Sequence, residues 1–251
     1  MKLTLINGTN QESQVYKKGR GYSFLLEDGD DTRLILDVGS SKNFFYNARF
    51  LDTDFRRISS VVVMSAFTNN NGFLKKTIKK SYKARLLINE HVFSDFKKEE
   101  GGKLKSLSKS FKNKSYTTIF QKDYKVSDKV TLFSFPLDLD RHDVLENESK
   151  DLIEHEVYCY ITNELGNILV IMNSQKPIKE IIDYTEKHFK TKIGYVVGTI
   201  PDSLEDLKPN VYYYDVLRDE TTNFKRPVKI GNTLDFTIID DFGLKEEEYE
   251  F

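Results

Sequence analysis

The chain has 251 residues, 39% of them hydrophobic and 31% charged, with 38 Lys and Arg against 39 Asp and Glu for a formal charge of -1. An aromatic content of 13% and nearly cancelling charges exclude a chain that is disordered throughout, and the missing basic excess argues against a dedicated nucleic-acid binder. The single cysteine, Cys159, excludes an internal disulfide and thiolate-built metal sites, and fits a reducing, cytoplasmic setting.

The N-terminus, MKLTLINGTNQES, carries a short apolar run with no small-residue cleavage pattern, so Leu3 to Ile6 reads as a first strand and not as a signal peptide. Gly21 to Glu27 and Arg33 to Asp37 flank Asp28-Gly29-Asp30-Asp31, the pattern of a β-hairpin. Lys42 to Leu51 places Phe44, Phe45, Ala48 and Leu51 at helical spacing, with Ser41 as N-cap. Arg57 to Met64 predicts a strand buried on both faces, since Val61-Val62-Val63-Met64 leaves no wet side. That stretch is the longest apolar run and is far too short to span a bilayer. A polar loop, Ser65 to Gly72, leads into a basic helix over Phe73 to Tyr82 and a strand over Ala84 to Ile88. Alternating strand and helix indicates an α/β fold.

Phe93 to Ser115 is lysine-rich and reads as a solvated excursion or, alternatively, as a patch for an anionic ligand. Strands follow at Tyr116 to Phe120 and Lys129 to Phe135. A second hairpin joins Glu156 to Thr162 with Asn167 to Met172 around Asn163-Glu164-Leu165-Gly166. Pro177 to Phe189 is an amphipathic helix, Ile193 to Val197 a strand, Asp202 to Leu207 a short helix, and Val211 to Leu217 with Leu234 to Ile239 the closing strands. The whole chain reads as a single domain over residues 1–251 with a frayed acidic tail from about 245 to 251.

The order of these segments carries a resemblance. Arg20-Gly21-Tyr22-Ser23-Phe24-Leu25-Leu26-Glu27, Leu34-Ile35-Leu36-Asp37-Val38-Gly39-Ser40, Asn47-Ala48-Arg49-Phe50-Leu51 and Asp54-Phe55-Arg56-Arg57-Ile58 together resemble the opening of the metallo-β-lactamase superfamily. More narrowly, the chain resembles the branch of dihydropterin (ribofuranosylaminobenzene phosphate) synthase-like proteins, from roughly Gly21 to Phe236. The resemblance implies an αββα sandwich. It also implies a metal-binding loop of the form Ser-His-x-His-x-Asp-His after the buried strand. Here Ser65 is present, but Ala66, Thr68, Asn70 and Asn71 stand at the ligand positions. Gln175 and Pro201 stand at two later histidine positions, and Tyr212-Tyr213-Tyr214-Asp215 replaces the C-terminal histidine segment. Alanine and proline offer no donor, and hydroxyl or amide oxygens suit only weak binding of hard cations.

No tightly bound zinc, iron or manganese is therefore expected, and the four histidines, His91, His142, His155 and His188, supply no replacement cluster because no two lie within twelve positions. Asn69-Asn70-Asn71-Gly72 reads either as a turn and helix cap or, with Asp37, Ser65, Thr68 and Gln175, as the wall of a pocket made from the former metal cavity. Cys159 alternates with Val157 and Ile161 and reads as a small core residue. The expectation is a metal-free relative that has lost its chemistry and acts as a ligand-binding or protein-interaction module. The alternative is a hydrolase or transferase acting on a phosphorylated small molecule or nucleotide through Asp37, His142, His155 and the asparagine loop. Lysines of Lys75 to Arg85 and Lys97 to Lys114 would then form a basic rim. A small phosphorylated ligand or a protein is the expected partner, and neither a membrane nor nucleic acid is.

Overall fold

The computed structural model describes residues 1–8, 16–29, 32–64, 71–93, 109–136, 155–172, 174, 176–200, 202, 207–208, 210–218, 220–222, 227–230 and 232–239. Two mixed sheets face each other. The first includes β1 (Lys2–Asn7), β2 (Ser23–Asp28), β3 (Thr32–Leu36), β4 (Ser60–Val63), β5 (Arg85–Asn89) and β6 (Thr117–Phe120). The second includes β7 (Tyr124–Lys125), β8 (Val130–Pro136), β9 (His155–Ile161), β10 (Asn167–Ile171), β11 (Ile193–Gly198), β12 (Tyr212–Asp215) and β13 (Glu220–Thr221). Two further strands, β14 (Pro227–Ile230) and β15 (Thr233–Ile239), return to the first sheet, giving the orders β14-β15-β1-β2-β3-β4-β5-β6 and β13-β12-β11-β10-β9-β8-β7.

Both expected hairpins form, with Glu27 opposite Arg33 across β2 and β3, and Leu169 opposite Tyr160 across β10 and β9. Gly29 closes the first turn at φ 68, a left-handed conformation that favours glycine. Each hairpin is followed by a helix and a parallel strand: α1 (Asn43–Phe50) leads to β4, and α3 (Ile178–Phe189) leads to β11. Between them α2 (Leu74–Lys80) links β4 to β5. Ser41 is displaced from the expected cap: Lys42 holds that position, and Ser41 Oγ accepts the Asn43 N–H at 3.2 Å one residue earlier. The short helix expected from Asp202 falls mostly outside the described residues.

Alternation along the strands produces three cores. Leu34 and Leu36, Val62, Leu87, Ile168 and Val170, and Tyr212 and Tyr214 point between the sheets. Ile35, Val61, Val63, Leu86 and Ile88 face outward beneath α1 and α2, while Leu169, Ile171, Val196 and Tyr213 face outward beneath α3. A strand such as β4 therefore has no wet face because each side of its sheet is covered. Burying each such side chain contributes about 1.5–3 kcal/mol.

Two contacts fix which strand ends meet. Lys129 Nζ, just before β8, lies 3.4 Å from Asp28 Oδ1 at the end of β2, and Asn163 Nδ2, in the β9–β10 turn, donates to the Phe236 carbonyl at 3.4 Å. The starts of β3, β4 and β5 thus share one end of the sandwich with the starts of β10, β11 and β12. Their C-terminal ends share the other, and from it the chain crosses over to each helix.

Candidate functional site

The crossover end is where the sequence places its candidate site, because the segments after β3, β4, β10 and β11 all emerge there. Ser65, Ala66, Thr68, Asn70, Gln175 and Pro201 lie outside the described residues; Asp37 and Asn71 are described, and both are buried. Met64 and Met172, which precede the two loops, close the inter-sheet core as buried side chains.

Asp37 serves the fold. It sits at φ 52, its N–H donates to the Val62 carbonyl at 2.9 Å, and its Oδ1 accepts the Met64 N–H at 2.8 Å. Its carbonyl accepts Ser23 Oγ at 2.7 Å. The carboxylate thus ties the end of β3 to the residue leaving β4, a charge-assisted bond that a neutral side chain would make more weakly. Gly39 follows at φ 65, and a Cβ there would stand 2.7 Å from Asn7 Nδ2, so only glycine fits. Asn7 in turn donates to the Arg20 and Gly21 carbonyls at 3.0 and 2.6 Å. Asn47 of α1 donates to the Ile6 and Lys17 carbonyls and accepts the Lys17 N–H at 2.9 Å. Asp54 caps a 3-10 turn by accepting the Arg56 N–H at 3.0 Å. The residues that carry the sequence resemblance are thus fasteners of the first sheet.

The second sheet has an equivalent fastener that sequence reasoning did not single out. Asp215 ends β12 fully buried; its Oδ1 accepts the Ile200 and Leu217 N–H groups at 3.3 and 2.9 Å, and its Oδ2 faces Arg218 Nε at 3.3 Å. Arg218 also donates to the Ile200 and Asp202 carbonyls, while Asp202 Oδ2 accepts the Ile178 N–H at 2.6 Å and caps α3. Nearby, the Tyr158 hydroxyl donates to Glu156, and Ser174 Oγ donates to the same carboxylate at 3.2 Å. Burial, together with the Glu156 charge, holds the Tyr158 hydroxyl well above its ordinary pKa. Cys159 is a fully buried free thiol in the inter-sheet core, and burial pushes its pKa up, which keeps it protonated and inert.

Of the histidines, His142 lies outside the described residues, and His155 opens β9, which runs antiparallel to β10 and so starts at the crossover end. His91 and His188 border a separate cleft of about 670 Å³, together with Glu90, Asp123, Ser134 and Tyr184. There His188 Nε2 lies 2.7 Å from Asp123 Oδ2 and its ring stacks on Tyr184. A contact across 65 positions leaves no mark in local spacing. Among the described residues, no three His, Cys, Asp or Glu side chains are placed to hold a metal ion.

Known structures share this architecture. A metal-dependent hydrolase of the beta-lactamase superfamily superposes with a TM-score of 0.60 at 17% identity, over 82% of this chain and 80% of that one. The chain has a metallo-β-lactamase fold. Lower similarity extends to the metallo-beta-lactamase fold protein YhfI from Bacillus subtilis, at TM-score 0.49 and 13% identity over 78% of this chain and 69% of that one. A quorum-quenching N-acyl homoserine lactone lactonase gives TM-score 0.49 and 12% identity over 82% and 94%. No protein-family profile and no curated protein sequence matches the chain.

The dinuclear metal centre implied by the resemblance does not fit these residues. At the positions that the resemblance assigns to metal ligands, Thr68, Asn70, Asn71 and Gln175 are neutral, and Ala66 and Pro201 carry no donor. Of the buried carboxylates described at this end, Asp37 holds the Met64 N–H, Asp215 holds two N–H groups and Arg218, and Glu156 accepts the Tyr158 and Ser174 hydroxyls.

Proposed function

We propose that the chain is a metal-independent relative of the dihydropterin synthase-like branch, one that has lost hydrolytic or synthase chemistry and keeps the metallo-β-lactamase fold as a ligand-binding or protein-interaction module of the cytoplasm. The observation that carries this reading is the fate of the acidic groups at the crossover end. Asp37 and Asp215 are both buried and both engaged in holding strand ends, while the residues at the implied ligand positions, Ala66, Thr68, Asn70, Asn71, Gln175 and Pro201, are uncharged. A site built this way can bind a ligand by hydrogen bonding through Thr68, Asn70, Asn71 and Gln175, and its implied ligand positions supply neither an imidazole nor a carboxylate to hold a metal that activates water. The buried, protonated Cys159 suits a reducing compartment.

Elemental analysis of protein purified from zinc- and manganese-supplemented cells tests the reading, with an expected metal content well below one ion per chain. Two tightly bound ions, or metal-dependent hydrolysis of a phosphoester, would overturn it. A thermal-shift screen with pterins, nucleotides and sugar phosphates then locates the ligand class, since a ligand at 100 times its dissociation constant adds about 2.7 kcal/mol.

A further inference from the structure

We propose that the outer face of α1 and α2 binds single-stranded nucleic acid. The whole-chain charge of -1 hides a strong segregation: between Lys42 and Arg85 the chain carries ten Lys and Arg against two Asp. All ten cations are exposed, and one of the two acids, Asp54, is bonded to Arg56.

Ring contacts join α1, the 3-10 turn and α2. Phe45 of α1 packs against Phe55 of the 3-10 turn and Phe73 before α2, with centroids 5.7 Å apart in each case. Lys80 lies over both Phe45 and Phe55, and Lys76 lies 4.7 Å from the Phe45 centroid. Lys17 lies 4.0 Å from the ring of Tyr46. Aromatic faces thus hold the ammonium groups of exposed lysines in place without cancelling their charge.

Beside these cations stand exposed rings. Tyr46, Phe50 and Tyr82 are 45%, 53% and 66% exposed, three of the five large hydrophobic side chains exposed among the described residues. Cations interleaved with partly exposed rings, Lys17 over Tyr46, Lys83 over Tyr82 and Tyr16 edge-on to Phe50, form a surface that tracks a single strand, with phosphates on the lysines and bases on the exposed parts of the rings. A bilayer is the poorer match, because the exposed rings are two tyrosines and one phenylalanine and, among the described residues, no large exposed aliphatic side chain stands beside them. The face lies on the helix layer and does not depend on the proposed loss of chemistry at the crossover end.

Fluorescence anisotropy with labelled oligo(dT) and oligo(U) of about 20 nucleotides tests this. Binding is expected with either or both, falling as salt rises with a log–log slope of about -0.7 per phosphate contact. Lys76→Gln with Lys80→Gln should weaken it about tenfold or more and flatten the slope, and Tyr82→Ala about fivefold or more. Lys179→Gln with Lys187→Gln on α3 removes the same charge and should leave binding within about twofold. Circular dichroism checks that each variant is folded; were the α2 pair unfolded, Tyr82→Ala with Lys83→Gln in the exposed turn decides. Absence of binding to both oligonucleotides, equal weakening by the α3 pair, or binding to phosphatidylserine vesicles but not to oligonucleotides would each overturn the proposal.

Discussion

The two outer helix layers of the sandwich are built alike but neutralise charge in opposite ways. Over the second sheet, α3 and its surroundings pair cations with carboxylates: Lys176 with Glu180, Lys192 with Glu186, and Lys208 with Asp183 and Glu186; the His188 ring also bonds Asp123. Over the first sheet, Lys17, Lys76 and Lys80 lie on aromatic rings instead. Ion pairs compensate charge within the chain and leave a finished surface. Cation–ring contacts hold a side chain in place without cancelling its charge, so that layer retains a field directed at solvent. The shared architecture shows that folding required neither solution.

Removing the apolar anchors should show that both layers are integral, and this is the largest expected effect. Phe44 is fully buried between Phe45 and Phe55, and Ile182 is fully buried under α3. Phe44→Ala should cost about 3–5 kcal/mol and Ile182→Ala about 2–5 kcal/mol in urea unfolding. A cost below about 1 kcal/mol at either site would show that its helix docks loosely and that the layers are not equivalent.

Most of this framework was legible in the sequence. Apolar runs around Asp28-Gly29 and Asn163-Glu164-Leu165-Gly166 marked the hairpins, and the unbroken Val61-Val62-Val63 run marked a strand covered on both sides. What escaped was short or long-range. Strands β7 and β13 have two residues each, too few for any period, and β14 begins with Pro227, a residue suited to sheet edges but discouraging in a strand pattern. The candidate site divides in the same way. The residue types at the ligand positions implied by the resemblance, such as Ala66 and Pro201, could be read directly, and both lie outside the described residues. The fastening roles of Asp37 and Asp215 could not, because each depends on backbone N–H groups of a neighbouring strand 27 or 15 positions away. The segregation of charge escaped for a related reason: a whole-chain sum averages over a fold that places the exposed cations of residues 42–85 around one helix layer.

Titration should separate the layers next. Glu186 is part-buried, which alone would raise its pKa, but the Ile193 N–H, Lys192 and Lys208 outweigh burial and hold it below its ordinary value of 4.5. The folded state therefore favours the carboxylate. Its stabilisation is complete above the unfolded value and is lost as pH falls through the lower, folded one. Lys208 behaves as the mirror case: burial lowers its pKa, but Asp183 and Glu186 raise it overall above 10.5, so its contribution is complete below that value and is lost as pH rises through the folded one. Glu186→Gln should cost about 1–2 kcal/mol at neutral pH and flatten the acid limb of a stability–pH curve. An unchanged acid limb would place the compensation of this layer elsewhere.

The smallest expected effect concerns the other layer and has the opposite sign. Lys75 with Lys79 and Lys76 with Lys80 are like-charge pairs one turn apart on α2, an arrangement that destabilises a helix by about 0.2–0.5 kcal/mol per pair. Lys79→Gln should therefore raise the unfolding midpoint slightly, and added salt should raise it more in the parent chain than in the variant, because only the parent has that repulsion to screen. The same substitution removes a cation from the face proposed to meet phosphates, so oligonucleotide affinity should fall while stability rises. A lysine whose removal improves the fold and weakens binding is retained at the expense of stability. If Lys79→Gln instead lowers stability, the lysine supports the helix and the unneutralised charge of this layer is structural after all.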